Sequence, residues 1–415
     1  MRRDAPTVLS AFTGAGGLDL GLERAGFRTV ASIELDPAAR ETLNLNRPTW
    51  GLLDEPNIID VAKKLQPQDL NLRVRELGLL VGGPPCQPFS KAAQWADRGR
   101  SGLRDPRAKC LSAFLTLLET FLPHAMLIEN VPGFVRGKTS AVPKLKKALE
   151  GINKRHGTKY VLQYRTLNAV KYGVPQRRFR AILVALRDGG TFQWPEETHE
   201  VPVRAYDALR GVRPKKIPSA SGYWSDLLPS IPEGQNYLFH TKGSGGLPLF
   251  GKRRWFWSFL LKLSKSEPSW TIPAKPGPST GPFHWNNRPL AVEELLRLQT
   301  FPRNWKIHGG TVASVRQVGN ATPPLLAEAV GRALGSQLFQ LKYQDRPTLS
   351  ISRSRTMPAQ RKPGSVPSKY LTHLNEQEEH PGEGKGPGAT RRKRRLQRQR
   401  SKRLIAAKRM ARRSR

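Results

Sequence analysis

Short, largely apolar runs at 7–12, 29–33, 77–81 and 125–128 are followed by Thr13-Gly14, Glu34, Gly82 and Glu129. Runs of that length fit strands covered on both faces, as in a parallel sheet. Between them apolar positions recur at helical spacing, through Leu22 and Ala25 to Gly26 and again in the stripe Cys110, Phe114, Leu117, Leu118 and Phe121. The alternation lasts to about residue 188. From there to about 287 the chain is rich in Gly, Pro, Trp and basic residues with little periodicity, and one more helical pattern follows around 321–334. Beyond 345 the apolar pattern fades into Pro, Gly, Ser and charge. The pattern predicts an α/β, Rossmann-like fold on a mostly parallel sheet, with a first domain at 1–188 completed by a helix at about 315–342. A smaller irregular domain is expected at 189–314 and a disordered tail at 345–415.

Chemistry gathers where the predicted strands end. Gly82-Gly83-Pro84-Pro85-Cys86-Gln87-Pro88-Phe89-Ser90 displays a thiol on a stiff loop after the 77–81 run, at the sheet edge where open α/β folds place ligands. Alone, Cys86 would read as a small buried hydrophobe. Glu129-Asn130-Val131 follows the next run, however, and Gln176, Arg178 and Arg180 alternate on a further one. A thiolate is a carbon nucleophile, a carboxyl group exchanges a proton with a ring nitrogen, and arginine steadies a carbonyl oxygen or a phosphate. With no histidine near Cys86 in sequence, an electron-poor heterocycle suits this trio better than a peptide bond.

A second constellation sits at the start of the chain. The 7–12 run leads into Thr13-Gly14-Ala15-Gly16-Gly17-Leu18, a turn whose backbone N–H groups can approach a ligand closely. Glu34 closes the next run, twenty residues after Gly14, the offset at which an acid meets ribose hydroxyls. Asp60, in Ile58-Ile59-Asp60-Val61, is expected to end a third strand and to face an adenine amino group. A dehydrogenase would use a similar turn and acid, but with Gly-x-Gly-x-x-Gly in place of Gly-x-Gly-Gly, and it would leave the thiol and carboxylate unexplained.

Taken together, these motifs resemble the DNA (cytosine-5) methyltransferases of the bacterial and phage modification type. Phe12 to Gly17 is similar to their S-adenosylmethionine loop, Gly83 to Ser90 to their nucleophile loop, and Glu129-Asn130-Val131 to their cytosine-binding motif. Gln176-Arg177-Arg178-Phe179-Arg180 fits Gln-x-Arg-x-Arg. Arg288-Pro289-Leu290 through Glu294, Leu298 to Pro302 and Gln317-Val318-Gly319-Asn320-Ala321 fit the last two motifs. The resemblance implies that Phe12, Thr13, Gly14, Gly16, Gly17, Leu18, Glu34, Asp60, Pro84, Asn320 and Ala321 hold S-adenosyl-L-methionine. It further implies that Cys86, Glu129, Arg178, Arg180 and Pro85 act on a cytosine taken out of double-stranded DNA. The two arginines would divide the base carbonyl and a phosphate between them. Gln87, Ser90, Lys242, Arg253, Arg254 and Thr271 are the candidates for DNA contact, the last from a Thr-Ile pair in the interval that serves target recognition in the family. Leu35, Ala291 and Glu293 depart from the family pattern. A tRNA methyltransferase shares the motif order, but the Cys-Phe-Thr element of that subfamily is missing; a silent DNA-binding relative would not need Cys86 and Glu129.

Composition agrees with a nucleic-acid partner. The formal net charge is +38, far beyond what solubility requires, and it is divided between the body and a tail in which 391–415 carries no acid. The two cysteines are too few for a disulfide framework or a structural zinc site, so no metal and a reducing, cytoplasmic setting are expected. The tryptophans at 255, 257, 270 and 285 read as core of the small domain. The expected state is a monomer acting on DNA, with any cognate restriction endonuclease acting separately and no membrane association.

Overall fold

The computed structural model describes residues 5–85, 108–137, 140–250, 256–349 and 351–374. Its centre is a six-stranded sheet. In chain order come β1 (Thr7–Ala11), α1 (Gly17–Arg24), β2 (Arg28–Ile33), α2 (Pro37–Asn46), α3 (Ile58–Lys64), β3 (Leu79–Gly82), α4 (Ala108–Phe121) and β4 (Ala125–Asn130). Then follow α5 (Val142–His156), β5 (Gln163–Asn168), β6 (Gln176–Arg177) and β7 (Phe179–Leu186). The strand order is β2-β1-β3-β4-β7-β5, with β2, β1, β3 and β4 parallel and β7 antiparallel to both of its neighbours. Every residue of β1, β3 and β4 is buried, which is why these strands read as unbroken apolar runs.

The chain moves from β1 to β2 on one side and then returns to place β3 on the other side of β1. That reversal opens a crevice at the carboxyl ends of β1 and β3, the place where such sheets receive ligands. The loops that begin at Phe12 and Gly83 both start there.

Helices cover both faces. Leu145, Leu149 and Ile152 of α5 pack with Phe114, Leu117, Leu118 and Phe121 of α4 on one face. On the other, α1 packs with the late helix α9 (Pro324–Phe339), which follows α6 (Ala205–Leu209), α7 (Val292–Leu298) and α8 (Thr311–Asn320). The approach of α9 is close enough that a Cβ at Gly21 would lie 2.4 Å from that of Ala327. The late helical pattern therefore belongs to the first domain's sheet.

The region after β7 has little regular structure. Its core is an aromatic and leucine cluster of Leu227, Leu228, Ile231, Tyr237, Leu249, Phe250, Phe259, Leu260 and Phe283, completed by Tyr370 from far down the chain. The expected tryptophan core is corrected here. Trp257 and Trp270 lie outside the cluster, Trp285 packs against another core, Trp255 falls outside the described residues, and Trp224 packs on the cluster instead.

The expected disorder from 345 also needs correction as far as Leu374. Residues 351–374 cross the small domain as an extended strap. Arg204 donates to the Ser354 carbonyl, Lys265 to the Ala359 carbonyl, and the Gly364 N–H to the Pro229 carbonyl. The strap ends at the fully buried Tyr370, whose ring stacks on Trp224 at 5.3 Å and whose hydroxyl donates to the Tyr223 carbonyl at 2.5 Å. Low hydropathy concealed it, because one aromatic residue carries its burial.

Candidate active site

Sheet register sets the geometry at the crevice. Gly82 lies opposite Ile128, so Gly83 and Glu129 are the next residues out on adjacent parallel strands. A Cβ built on Gly83 would lie 3.6 Å from Glu129 Oε2. On the other side of β4, Asn130 pairs with Ala181, which puts Arg180 at the start of the antiparallel β7. Arg180 Nε meets Glu129 Oε1 at 2.7 Å, and both side chains are largely buried. Asn130 Nδ2 donates to the Pro84 carbonyl at 2.9 Å, while its own Oδ1 accepts from the Val131 N–H. Asn130 thus clasps the loop that carries Cys86. The sequence marked Asn130 only as part of a motif; an amide side chain directly after the strand-end acid is the signal.

Cys86, Gln87 and Ser90 lie outside the described residues, as do Arg253 and Arg254. Pro84 and Pro85 are described, and the Pro84 carbonyl is held by Asn130, next to Glu129 in the chain.

The two arginines have different surroundings. Arg178 sits in the break between β6 and β7 and is fully buried. Its Nη2 donates to the carbonyls of Gly319 at 2.8 Å and Ala321 at 3.0 Å, and its Nη1 to that of Ile272 at 3.4 Å. The expectation that Arg178 faces a base or a phosphate is therefore corrected. Inside–outside alternation persists across 176–180, but the chain changes sheets there, so the inward side chains meet different surroundings: β6 pairs with β8 (Ser269–Trp270), and β7 joins the central sheet. Gln176, also buried, shares this joint. Its Nε2 donates to Gln299 Oε1, its Oε1 accepts from the Ile272 N–H, and Gln299 Nε2 donates to the Val318 carbonyl. The Ala321 carbonyl is likewise engaged by the joint, and Asn320 beside it is exposed.

The turn after β1 is tightly specified. Phe12 and Gly14 adopt positive φ, as does Gly16 at +79°, where a side chain would also press on Trp50. At Gly17 a Cβ would stand 2.2 Å from the Thr322 carbonyl, so the segment before α9 seals the turn from behind. Thr13 Oγ1 reaches the Ser10 hydroxyl at 3.1 Å, and Leu18 turns its side chain into the core. In front, a Cβ on Gly14 would meet nothing closer than the Phe12 carbonyl at 3.9 Å, which leaves the backbone open to a ligand.

Glu34 lines this opening. Its Oε2 accepts from the Gly14 N–H and its Oε1 from the Asp36 N–H, both at 2.7 Å. Burial raises its pKa, and those two N–H groups oppose the shift. Each oxygen keeps a lone pair for a hydroxyl donor. Asp60 is a correction: it lies in the first turn of helix α3, not at a strand end. Asn57 caps that helix, and the Asp60 carboxylate is engaged by Asn57 Nδ2 and Lys63 Nζ, each at 2.7 Å. Lys63 and Asn57 hold its pKa down. Lys242 and Thr271 are exposed, and Thr271 Oγ1 donates to the Arg177 carbonyl.

Residues 7–336 match the family model for C-5 cytosine-specific DNA methylases. The chain is 33% identical over 401 residues to the Type II methyltransferase M.SacI of Streptomyces achromogenes, covering 87% of this chain and 98% of that one. It is 32% identical over 357 residues to M.Sau96I of Staphylococcus aureus, covering 80% and 76%. The S. pombe Dnmt2 methyltransferase superposes with a TM-score of 0.54 at 19% identity, over 80% of this chain and 99% of that one. The fold and the crevice are those of a methyltransferase. This chain belongs to the C-5 cytosine-specific DNA methylases of the restriction-modification type. Among the described residues no cluster of acids, histidines and cysteines could hold a metal ion, and no helix is long and apolar enough to cross a membrane.

Proposed function

We propose that the protein methylates C5 of a cytosine within one short sequence of double-stranded DNA, through covalent attack by Cys86 on a base turned out of the helix. The observation that carries this reading is the buried Glu129–Arg180 pair beside Gly83, clasped through Asn130 to the loop that leads to Cys86.

Cytosine C5 is a weak nucleophile. In the reading, the Cys86 thiolate adds to C6 while Glu129 holds a proton at N3, and the electron pair displaced from the 5,6 double bond makes C5 enamine-like. Arg180, fixed by Glu129, steadies the base carbonyl, and Pro85 bounds the pocket. S-adenosylmethionine supplies an electrophilic methyl group. Loss of the C5 proton to a base or water then restores the double bond and expels the thiolate.

The opening before Gly14 fits that cofactor. Glu34 would take the ribose hydroxyls, the 12–18 turn would give backbone N–H groups, and Pro84, Asn320 and Ala321 would border the site. Asp60 is less suited, since Lys63 and Asn57 occupy its carboxylate. Because the target atoms are stacked inside a duplex, the base must leave the helix at a cost of a few kcal/mol. Lys242, Arg253, Arg254, Thr271, Gln87 and Ser90 remain the candidates for holding the DNA. Monomeric action in the cytoplasm, independent of a cognate endonuclease, completes the proposal.

The test is conversion-based sequencing of DNA from a methylation-free host expressing the chain, beside Cys86→Ser. Methylated cytosines at one short motif, lost in the variant, are expected. Blank DNA with soluble protein, and methylated host RNA in its place, would overturn the choice of substrate.

A further inference from the structure

Three large aromatic side chains stand in the open around the joint between the two domains. Phe256 is 50% exposed, Trp257 44% and Phe179 51%, in a protein whose other aromatic residues mostly fill its cores. Trp257 is displayed by a fixed turn. The Phe259 N–H donates to the Phe256 carbonyl at 2.9 Å, the buried Asn236 donates from Nδ2 to the Trp257 carbonyl at 2.7 Å, and Phe259 is anchored in the small-domain core. Its indole meets that of Trp270 edge to face, with ring centroids 5.6 Å apart at 70°. The guanidinium of Arg177 lies over the Trp270 ring, 5.1 Å from its centroid.

This column is close to the base pocket. Trp270 pairs with Arg177 in the β6–β8 ladder, and Arg177 is only three residues from Arg180, a span of about 10 Å at most. Its charge is already spent, because Arg177 is ion-paired with Glu267. What the column offers a partner is therefore π surface more than charge. The partner it faces carries stacked bases, as the +38 net charge and the family both require.

We infer that Trp257, backed by Trp270 and Arg177, stacks against the bases that border the position vacated by the extruded cytosine. The inference rests on the base-extrusion step of the proposed function. Extrusion leaves two base faces without a neighbour, and an indole held rigidly beside the β6–β8 ladder replaces part of the lost stacking. Because the turn is pinned at two carbonyls, little side-chain or loop ordering is left for the moment of binding.

The experiment places 2-aminopurine at the target position of a duplex bearing the methylated sequence, and compares the full-length wild type with Trp257→Ala and Trp257→Phe. The wild type should brighten the probe on binding. Trp257→Ala should bind at least tenfold more weakly and brighten it less than half as much at saturation, with an unchanged salt slope and unfolding midpoint. Trp257→Phe should recover most of both signals. Equal affinity and brightness in Trp257→Ala would overturn the role of Trp257 alone, and so would a lowered salt slope or failure of Trp257→Phe to recover either signal. Absence of brightening in the wild type would remove extrusion itself, and this role with it.

Discussion

The carboxyl edge of the central sheet and the core of the small domain are both buried, yet they are held by different means. At the sheet edge, a hydrogen-bonded ladder decides which residue faces which. Gly83, Glu129 and Arg180 meet because β3, β4 and β7 are in register. In the small domain, Tyr237, Phe250, Phe259, Phe283 and Tyr370 fill a shared volume from segments more than a hundred residues apart, with little ladder among them. Side-chain packing tolerates exchange of shape as long as volume is kept, whereas a ladder does not tolerate a shift by one residue. The Glu129–Arg180 pair, whose geometry must be fixed, sits on the first kind of support.

Breaking each support should therefore give a different kind of loss. Glu129→Gln keeps the shape and an acceptor for Arg180 but removes the acid. Methyl transfer in single-turnover assays should fall by about 10² to 10⁴, the usual contribution of a positioned acid or base, with little change in the unfolding midpoint. A fall below tenfold would take Glu129 out of the proton transfer. Tyr370→Ala should do the opposite, costing about 3–5 kcal/mol of stability in urea unfolding through the cavity it leaves. Tyr370→Phe should cost only about 1 kcal/mol, for the hydroxyl bond to Tyr223. Equal stability of Tyr370→Ala and wild type would mean that the strap rests on the domain without supporting it.

Legibility in the sequence follows the same division. β1, β3 and β4 were readable because a strand covered on both faces is apolar throughout, and the places of Gly83 and Glu129 were readable because they stand where such runs stop. Asp60 was misread because two isoleucines before an acid look alike at the end of a strand and in the first turn of a helix; Asn57, an N-cap residue, was the overlooked sign. Arg178 was misplaced because side chains on one inward face need not share surroundings, and nothing local announces a change of sheet. Tyr370 was hidden by its polar, proline-rich surroundings, since its partners Trp224 and Tyr223 are about 150 residues away.

The joint between the regions allows a finer test, because Arg178 and Arg180 differ in what they hold. Arg178→Ala leaves three carbonyls without a charged donor and should lower stability by about 2–3 kcal/mol in urea unfolding. Arg180→Ala should reduce methyl transfer while moving the midpoint less. Reversed outcomes would return Arg178 to the pocket.

The most condition-dependent effect concerns a polar group buried inside the ladder-built region itself. Asp19 lies in the first turn of α1, two residues past Gly17, and is fully buried. Burial raises its pKa from 3.8 to about 7; the Ser10 side chain opposes the shift and the charge of Glu23 adds to it. Between those two values the unfolded chain has lost the proton that the folded chain keeps. Folding is therefore favoured most at the acid end of the window, and Asp19 draws stability down as pH rises through it, by at most about 1.4 kcal/mol per pH unit, levelling above pH 7. Asp19→Asn cannot lose a proton. The difference in urea midpoint between variant and wild type should grow in the variant's favour from pH 5 to pH 7 and then stay constant, whatever other groups contribute equally to both. A difference independent of pH would mean that Asp19 is ionised in the folded protein, and that the buried first turn of α1 holds a charge.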